Sequence, residues 1–255
     1  MRRAVLAIVC VCARSAAADH DGMHMGDRDD GPSQTVTAAL SVLAADFSSE
    51  FYGGSYQGVM PSLRWSYARF GAGASVAFYH LDANGLVTTG MGDVMTDVDM
   101  RLWSSGHATL GVMLGMSFPT GDDLHGYGMG HVMAMPMAIG TWTHDRVTLS
   151  ASGGYGRALT DLGTHDHGMW PLVEPMNLQE VTFGGGGDVA IAHGVQGGVH
   201  VSGGVPVGAA GTDRVIGAAR VAWGNRRLVT SAELQAGLAG DPFGIRGVIE
   251  TALRF

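Results

Sequence analysis

Residues 243–255 read Phe-Gly-Ile-Arg-Gly-Val-Ile-Glu-Thr-Ala-Leu-Arg-Phe, and this stretch decides the fold. At a period of two, Phe243, Ile245, Ile249, Leu253 and Phe255 fall on one side, while Arg246, Glu250 and Arg254 fall on the other. That alternation is the mark of a β-strand with two unlike faces. A soluble sheet buries its apolar face in a core. A barrel in lipid inverts the arrangement and turns its charges into the lumen.

Upstream, the same alternation recurs in segments of about ten residues, the length that spans a bilayer as a tilted strand. Twelve are predicted, near 35–45, 56–68, 71–81, 92–103, 107–118, 131–142, 146–157, 180–192, 195–207, 214–223, 227–238 and 243–255. Their connections alternate in length. The stretches 46–55, 82–91, 119–130 and 158–179 are long; Arg69-Phe70, 104–106, 143–145, His193-Gly194 and 224–226 are short. Barrels of the bacterial outer membrane have short periplasmic turns and longer external loops, so this phase places both termini in the periplasm. The expected fold is all-β, a transmembrane antiparallel up-and-down β-barrel of about 12 strands over 34–255.

Aromatic placement is an independent check. Trp65, Trp103, Trp142 and Trp223 lie at the predicted periplasmic strand ends, and Phe78, Phe118, Tyr155, Phe183 and Phe243 at the opposite ends. Amphipathic rings favour the headgroup level, so two girdles are expected. Trp103 shares parity with Asp97 and Asp99, which should face inward; either a bulge near Arg101 turns it outward or the strand lies in another register. Composition agrees with a lipid-facing wall. The chain of 255 residues is 46% hydrophobic and only 15% charged, and beyond the N-terminus it has no apolar run long enough for a membrane helix. Its 41 glycines suit a tightly curved sheet. Gly184–Gly187 is no phosphate loop, since neither a Lys-Ser/Thr pair nor a helix follows.

Arg2-Arg3, an apolar stretch over 4–13 and Ala16-Ala17-Ala18 read as a secretory signal peptide covering 1–18. Both cysteines, Cys10 and Cys12, lie within it, so the exported chain holds no disulfide. With Arg2, Arg3 and Arg14 removed, 12 Arg remain against 23 acids, a net charge of −11. That balance argues against nucleic acid as a partner.

Residues 19–33 form a polar tail that begins Asp19-His20-Asp21-Gly22-Met23-His24-Met25. Imidazole and thioether suit copper, the thioether favouring Cu(I), so His20, Met23, His24 and Met25 are candidate ligands. The tail resembles the leader segments of outer-membrane copper-resistance proteins. His165-Asp166-His167-Gly168-Met169, and His125 with Met129, are further His/Met clusters. His131, Met133, Met135 and Met137 share one strand face; Met there also serves as packing, and parity alone does not say whether the stripe meets lipid or lumen.

By parity the lumen is lined by Arg64, Asp93, Asp97, Asp99, Arg101, Asp188, Arg220, Glu233, Gln235, Arg246, Glu250 and Arg254. Charges in a narrow interior pair or meet water, so this set either lines a channel or neutralises itself and closes the barrel. Some twelve-stranded barrels are lipases, but no Gly-x-Ser-x-Gly elbow is present and no Ser stands beside the outward His80 or His193. An enzyme is not expected.

The ending Val248-Ile-Glu-Thr-Ala-Leu-Arg-Phe255 resembles the C-terminal signal by which outer-membrane barrels are recognised, which implies the barrel-insertion machinery as a partner. Gly92-Asp93, then a strand, a turn, a second strand and Phe118-Pro119-Thr120-Gly121-Asp122, resemble the outer-membrane phenol-degradation (meta-pathway) transporters. In that family a Gly-Asp before one strand and a Pro-Thr-Gly-Asp after the next are typical. The resemblance implies a barrel that passes small-molecule solutes passively across the outer membrane. The alternative is a closed structural or copper-handling barrel.

Overall fold

The computed structural model describes residues 34–48, 53–159, 173, 176–208, 211–240 and 243–255. The signal peptide, the tail with His20, Met23, His24 and Met25, the cluster 165–169 and Trp170 lie outside the described residues.

Fourteen β-segments build the wall. They are β1 (Gln34–Ser48), β2 (Gly53–Tyr67), β3 (Phe70–Ser75), β4 (Phe78–Ala83), β5 (Leu86–Met91), β6 (Val94–Ser104), β7 (Ala108–Phe118), β8 (Met133–His144), β9 (Val147–Ala158), β10 (Gln179–Ala192), β11 (Val195–Pro206), β12 (Arg214–Gly224), β13 (Leu228–Ala239) and β14 (Ile245–Arg254). Each pairs antiparallel with its neighbour in the ring, and β1 pairs with both β2 and β14, so the sheet closes. Closure removes the free edges of the ring, the condition for a sheet to cross lipid; only β5, at the loop end, pairs on one side alone, with β4. Beyond Arg254, Phe255 and Val36 exchange backbone hydrogen bonds of 2.8 and 3.2 Å, extending the seam to the last residue.

Twelve strands emerge from fourteen segments because two strands are interrupted side by side. β3 and β4 both pair with β2 in one continuous register, Ser62 opposite Ser75 and Val59 opposite Phe78, with Val76-Ala77 between. Pro61 lies at that break. It offers no N–H to the ladder, and its carbonyl accepts from Val76 at 3.4 Å. On the next strand Phe78 pairs with Met91 and Ser75 with Met95, so three residues, 92–94, oppose two. This bulge reverses which parity faces inward: Thr88 and Gly90 lie opposite the inward Leu81 and Tyr79, while Asp97 and Asp99 lie opposite Gly73 and Gly71.

The expected loop 82–91 is therefore corrected. It holds a β-hairpin whose two-residue turn, Asn84-Gly85, has φ of 54° and 81°. Asn-Gly tolerates positive φ at both positions, and the resulting twist matches that of the flanking strands. The expected strand 71–81 likewise divides into β3 and β4.

The outer surface is that of a protein bathed in lipid. Leu63, Val98, Val199, Leu234 and Ile249 are all exposed. Trp65, Trp103, Trp142 and Trp223 are exposed at the end of the tight turns, here called the turn end. Between Arg101 and Trp103 the ladder with β7 slips by one residue, the bulge that turns Trp103 outward. At the loop end Phe78 is exposed, but Phe243 is a correction. It precedes β14, escapes strand alternation, and turns inward to 3% exposure, with the Arg246 guanidinium 4.3 Å from its ring centre.

Candidate functional site

Charged side chains pair at several levels of the lumen. Arg64 Nη1 donates to Asp97 at 2.8 Å, and its second amino group holds Asp99. Arg220 lies directly opposite Glu233 in the ladder. Gln235 donates to Glu233 and accepts from Arg246 Nε at 2.6 Å, and Arg246 also reaches the Tyr56 hydroxyl at 3.4 Å. Ser41 donates to Glu250 at 2.9 Å. Asp188 pairs with His200 at 3.3 Å. Arg254 sits opposite Thr37 at the turn end.

Two expected lining residues hold the wall in shape instead of standing in the lumen as bare charges. Arg101 donates to the carbonyl of Ala68 at 3.2 Å, bracing the tight turn where Ala68 has φ of 53°. Asp93, re-aimed by the bulge, accepts from the backbone N–H of Gly121 and of Met129, both at 2.9 Å. Val94 N–H in turn donates to Thr120 Oγ at 2.8 Å. The Gly-Asp and Pro-Thr-Gly-Asp elements thus meet and tie the connection 119–132 to the inside of the wall. Contact is close enough that a Cβ on Gly121 would lie 2.9 Å from the Gly92 carbonyl carbon.

That tether lies in the loop-end half of the lumen. Tyr127 stacks on Tyr79, centroids 6.1 Å apart and planes within 5°, and Tyr79 meets Tyr56 edge-on at 6.1 Å. Around these rings Leu43, Phe47, Leu81, Met113, Met129, Met133, Met135, Met137 and Met176 form one buried cluster. The stripe from His131 to Met137 therefore faces the lumen, not lipid. His125, in contrast, is exposed and bonds Asp122 at 2.6 Å, apart from the buried Met129. Slight burial opposes ionisation of Asp122, but the His125 hydrogen bonds outweigh it and hold the carboxyl below its ordinary range.

Sequence parity missed the most deeply buried ion pair among the described residues. Glu180 and Arg214 are within bonding distance, their side chains 2% and 0% exposed, and Asn177 Nδ2 donates to Glu180 at 2.9 Å. Both residues open their strands, where alternation has barely begun to declare a face. The inward tyrosines were also missed, since Tyr at a strand end reads as girdle as readily as lumen.

The family described as "Putative MetA-pathway of phenol degradation" matches residues 25–168, more than half of the chain. No curated protein matches it. Among solved structures, the COG4313 outer membrane channel from Pseudomonas putida F1 is similar with TM-score 0.64 and 11% identity, over 90% of this chain and 98% of that one. The KdgM porin follows with TM-score 0.57 and 8% identity, over 86% and 99%. The translocator domain of the autotransporter NalP from Neisseria meningitidis has TM-score 0.55 and 10% identity, over 97% and 96%. At such identities the shared property is the fold, a barrel of the outer-membrane kind. With its motif pair joined at Asp93 and the match spanning 25–168, the chain belongs to the family of the MetA-pathway of phenol degradation.

Proposed function

We propose that this protein is a passive outer-membrane channel for small solutes, with its short turns and both termini in the periplasm and its long connections outside. One observation carries the reading: a closed twelve-stranded ring turns its apolar face out and gathers its ion pairs inside. Such an interior suits water and polar solutes. Arg64, Asp97, Asp99, Asp188, Arg220, Glu233, Arg246, Glu250 and Arg254 line the path in this proposal. The tethered segment with Tyr127 narrows it at the loop end. The family match and the fold shared with an outer membrane channel and a porin support transport rather than catalysis. Insertion through the segment ending in Phe255 is part of the same reading, supported by its exposed terminal ring.

Planar-bilayer recording from purified, folded protein tests it. Stepwise conductance is expected, and silence at every voltage would refute the channel. The copper site at His20, Met23, His24 and Met25 is a separate proposal, resting on the interleaved imidazoles and thioethers of the tail.

A further inference from the structure

Under the tethered segment lies a cavity of about 30 Å³, bounded by Met60, Met95, Met129 and Met176 together with Ser75, Ser117, Tyr79, Tyr127 and Asp93. That space exceeds the roughly 10–15 Å³ that one water needs and falls well short of the about 150 Å³ that holds benzene, so it admits a small ion and no aromatic ring. Its four methionines come from four separate parts of the chain: β2, β6, the connection 119–132 and the connection 159–178. We propose that this cavity is a binding site for one soft monovalent cation, Cu(I) or Ag(I).

The chemistry of the wall selects that class. Thioether sulfur is a soft, neutral donor that prefers Cu(I) to hard divalent ions. Among the described residues no three His, Cys, Asp or Glu converge on a common point, so a set suited to zinc or calcium is not what gathers here. The charge count agrees. The Asp93 carboxylate borders the cavity with its oxygens held by Gly121 and Met129 N–H. One anion in the wall offsets one positive charge, which an uncompensated buried ion would require. Beyond the cavity wall, Met113, Met133, Met135 and Met137 belong to the same buried cluster as Met60, Met129 and Met176. The Met129 sulfur already accepts from Met176 N–H at 3.4 Å, so its position is constrained.

Packing is the competing account, since Met fills irregular gaps well. Leucine separates the two, because it keeps Met's volume and apolarity without the sulfur. The test measures Ag(I) uptake by equilibrium dialysis on the full chain in detergent, with His20→Ala, Met23→Ala, His24→Ala and Met25→Ala introduced to silence the tail and His165→Ala, His167→Ala and Met169→Ala to silence the second His/Met cluster. One Ag(I) per chain is expected to remain. Adding Met60→Leu and Met129→Leu should abolish it, and Asp93→Asn should weaken it about 10–100-fold, as loss of a supporting carboxylate does. X-ray absorption of the silver-loaded protein with both clusters silenced should show a sulfur shell, whether or not the leucine variant folds. Equal uptake by a folded leucine variant, a nitrogen or oxygen shell, no retained silver, or Zn(II) bound as tightly as Ag(I) would each overturn the proposal.

Discussion

Arg64 and Asp97 stand on strands that share no hydrogen-bond ladder, yet their side chains meet at 2.8 Å. Strand β3 runs between them, and the ladder sets Gly73 opposite both. The glycine leaves a gap through which the guanidinium crosses an entire strand. A Cβ on Gly73 would lie 2.5 Å from Asp97 Oδ1, and Gly71 occupies the same position beneath Asp99. Gly204 lies likewise beneath Arg214 and Glu180. Several inward glycines of this barrel are thus the floors over which charges pair.

Substituting Gly73→Val should therefore break the Arg64 pairs without touching a charge. The expected loss is about 1–3 kcal/mol, the usual range for disrupting a buried network. Urea titration of the folded protein in detergent measures it. An unchanged midpoint would show that the guanidinium finds equal partners elsewhere.

Glu180 and Arg214 have side chains 2% and 0% exposed, so Glu180→Leu alone takes from a buried cation the carboxylate it is paired with. That single change should cost about 3–5 kcal/mol, whereas Glu180→Leu with Arg214→Met should recover much of the loss. A double-mutant cycle on the same titration separates the two outcomes.

At Asp93 the expected effect is on current. Asp93→Ala removes the acceptor for Gly121 and Met129 N–H, which should free the segment carrying Tyr127 from the wall. Single-channel conductance should rise, and protease should cut within 119–132 sooner than in the parent. Identical conductance would place the constriction elsewhere.

Selectivity follows from the triad's formal charge. Arg64 with Asp97 and Asp99 carries −1, and Asp97→Asn with Asp99→Asn makes it +1. Reversal potentials in a salt gradient should move toward anion preference. No movement would mean that permeating ions do not pass this cluster.

For the tail, a peptide of residues 19–33 should bind Cu(I) more tightly than an equivalent mixture of free methionine and histidine. Competition against a Cu(I) chelator measures this, and equal affinities would end the copper proposal there.

Much of the barrel was legible in the chain because its cause is local. Alternation at period two depends only on a residue's neighbours along the strand, so the count of twelve, the exposed Trp65, Trp142 and Trp223, and the inward Arg246 and Glu250 all follow from it. Of the two ways to resolve the Trp103 parity conflict, a bulge or a misplaced strand, the ladder has the bulge. The hairpin at Asn84-Gly85 was legible too, since Asn-Gly between short apolar runs signals such a turn; a long-loop reading of 82–91 obscured it.

What the amino-acid order determined alone is most of the wall: how many strands there are and, apart from the His131–Met137 stripe and the hairpin at 82–91, which side of a strand meets lipid. The tertiary structure decided what fills the interior. Asp93 bonds the backbone of 119–132, Arg64 reaches Asp97 over Gly73, and four methionines converge on one cavity. Those outcomes depend on register between strands distant in sequence and on one bulged residue that reverses parity, and a period of two along a single strand encodes neither.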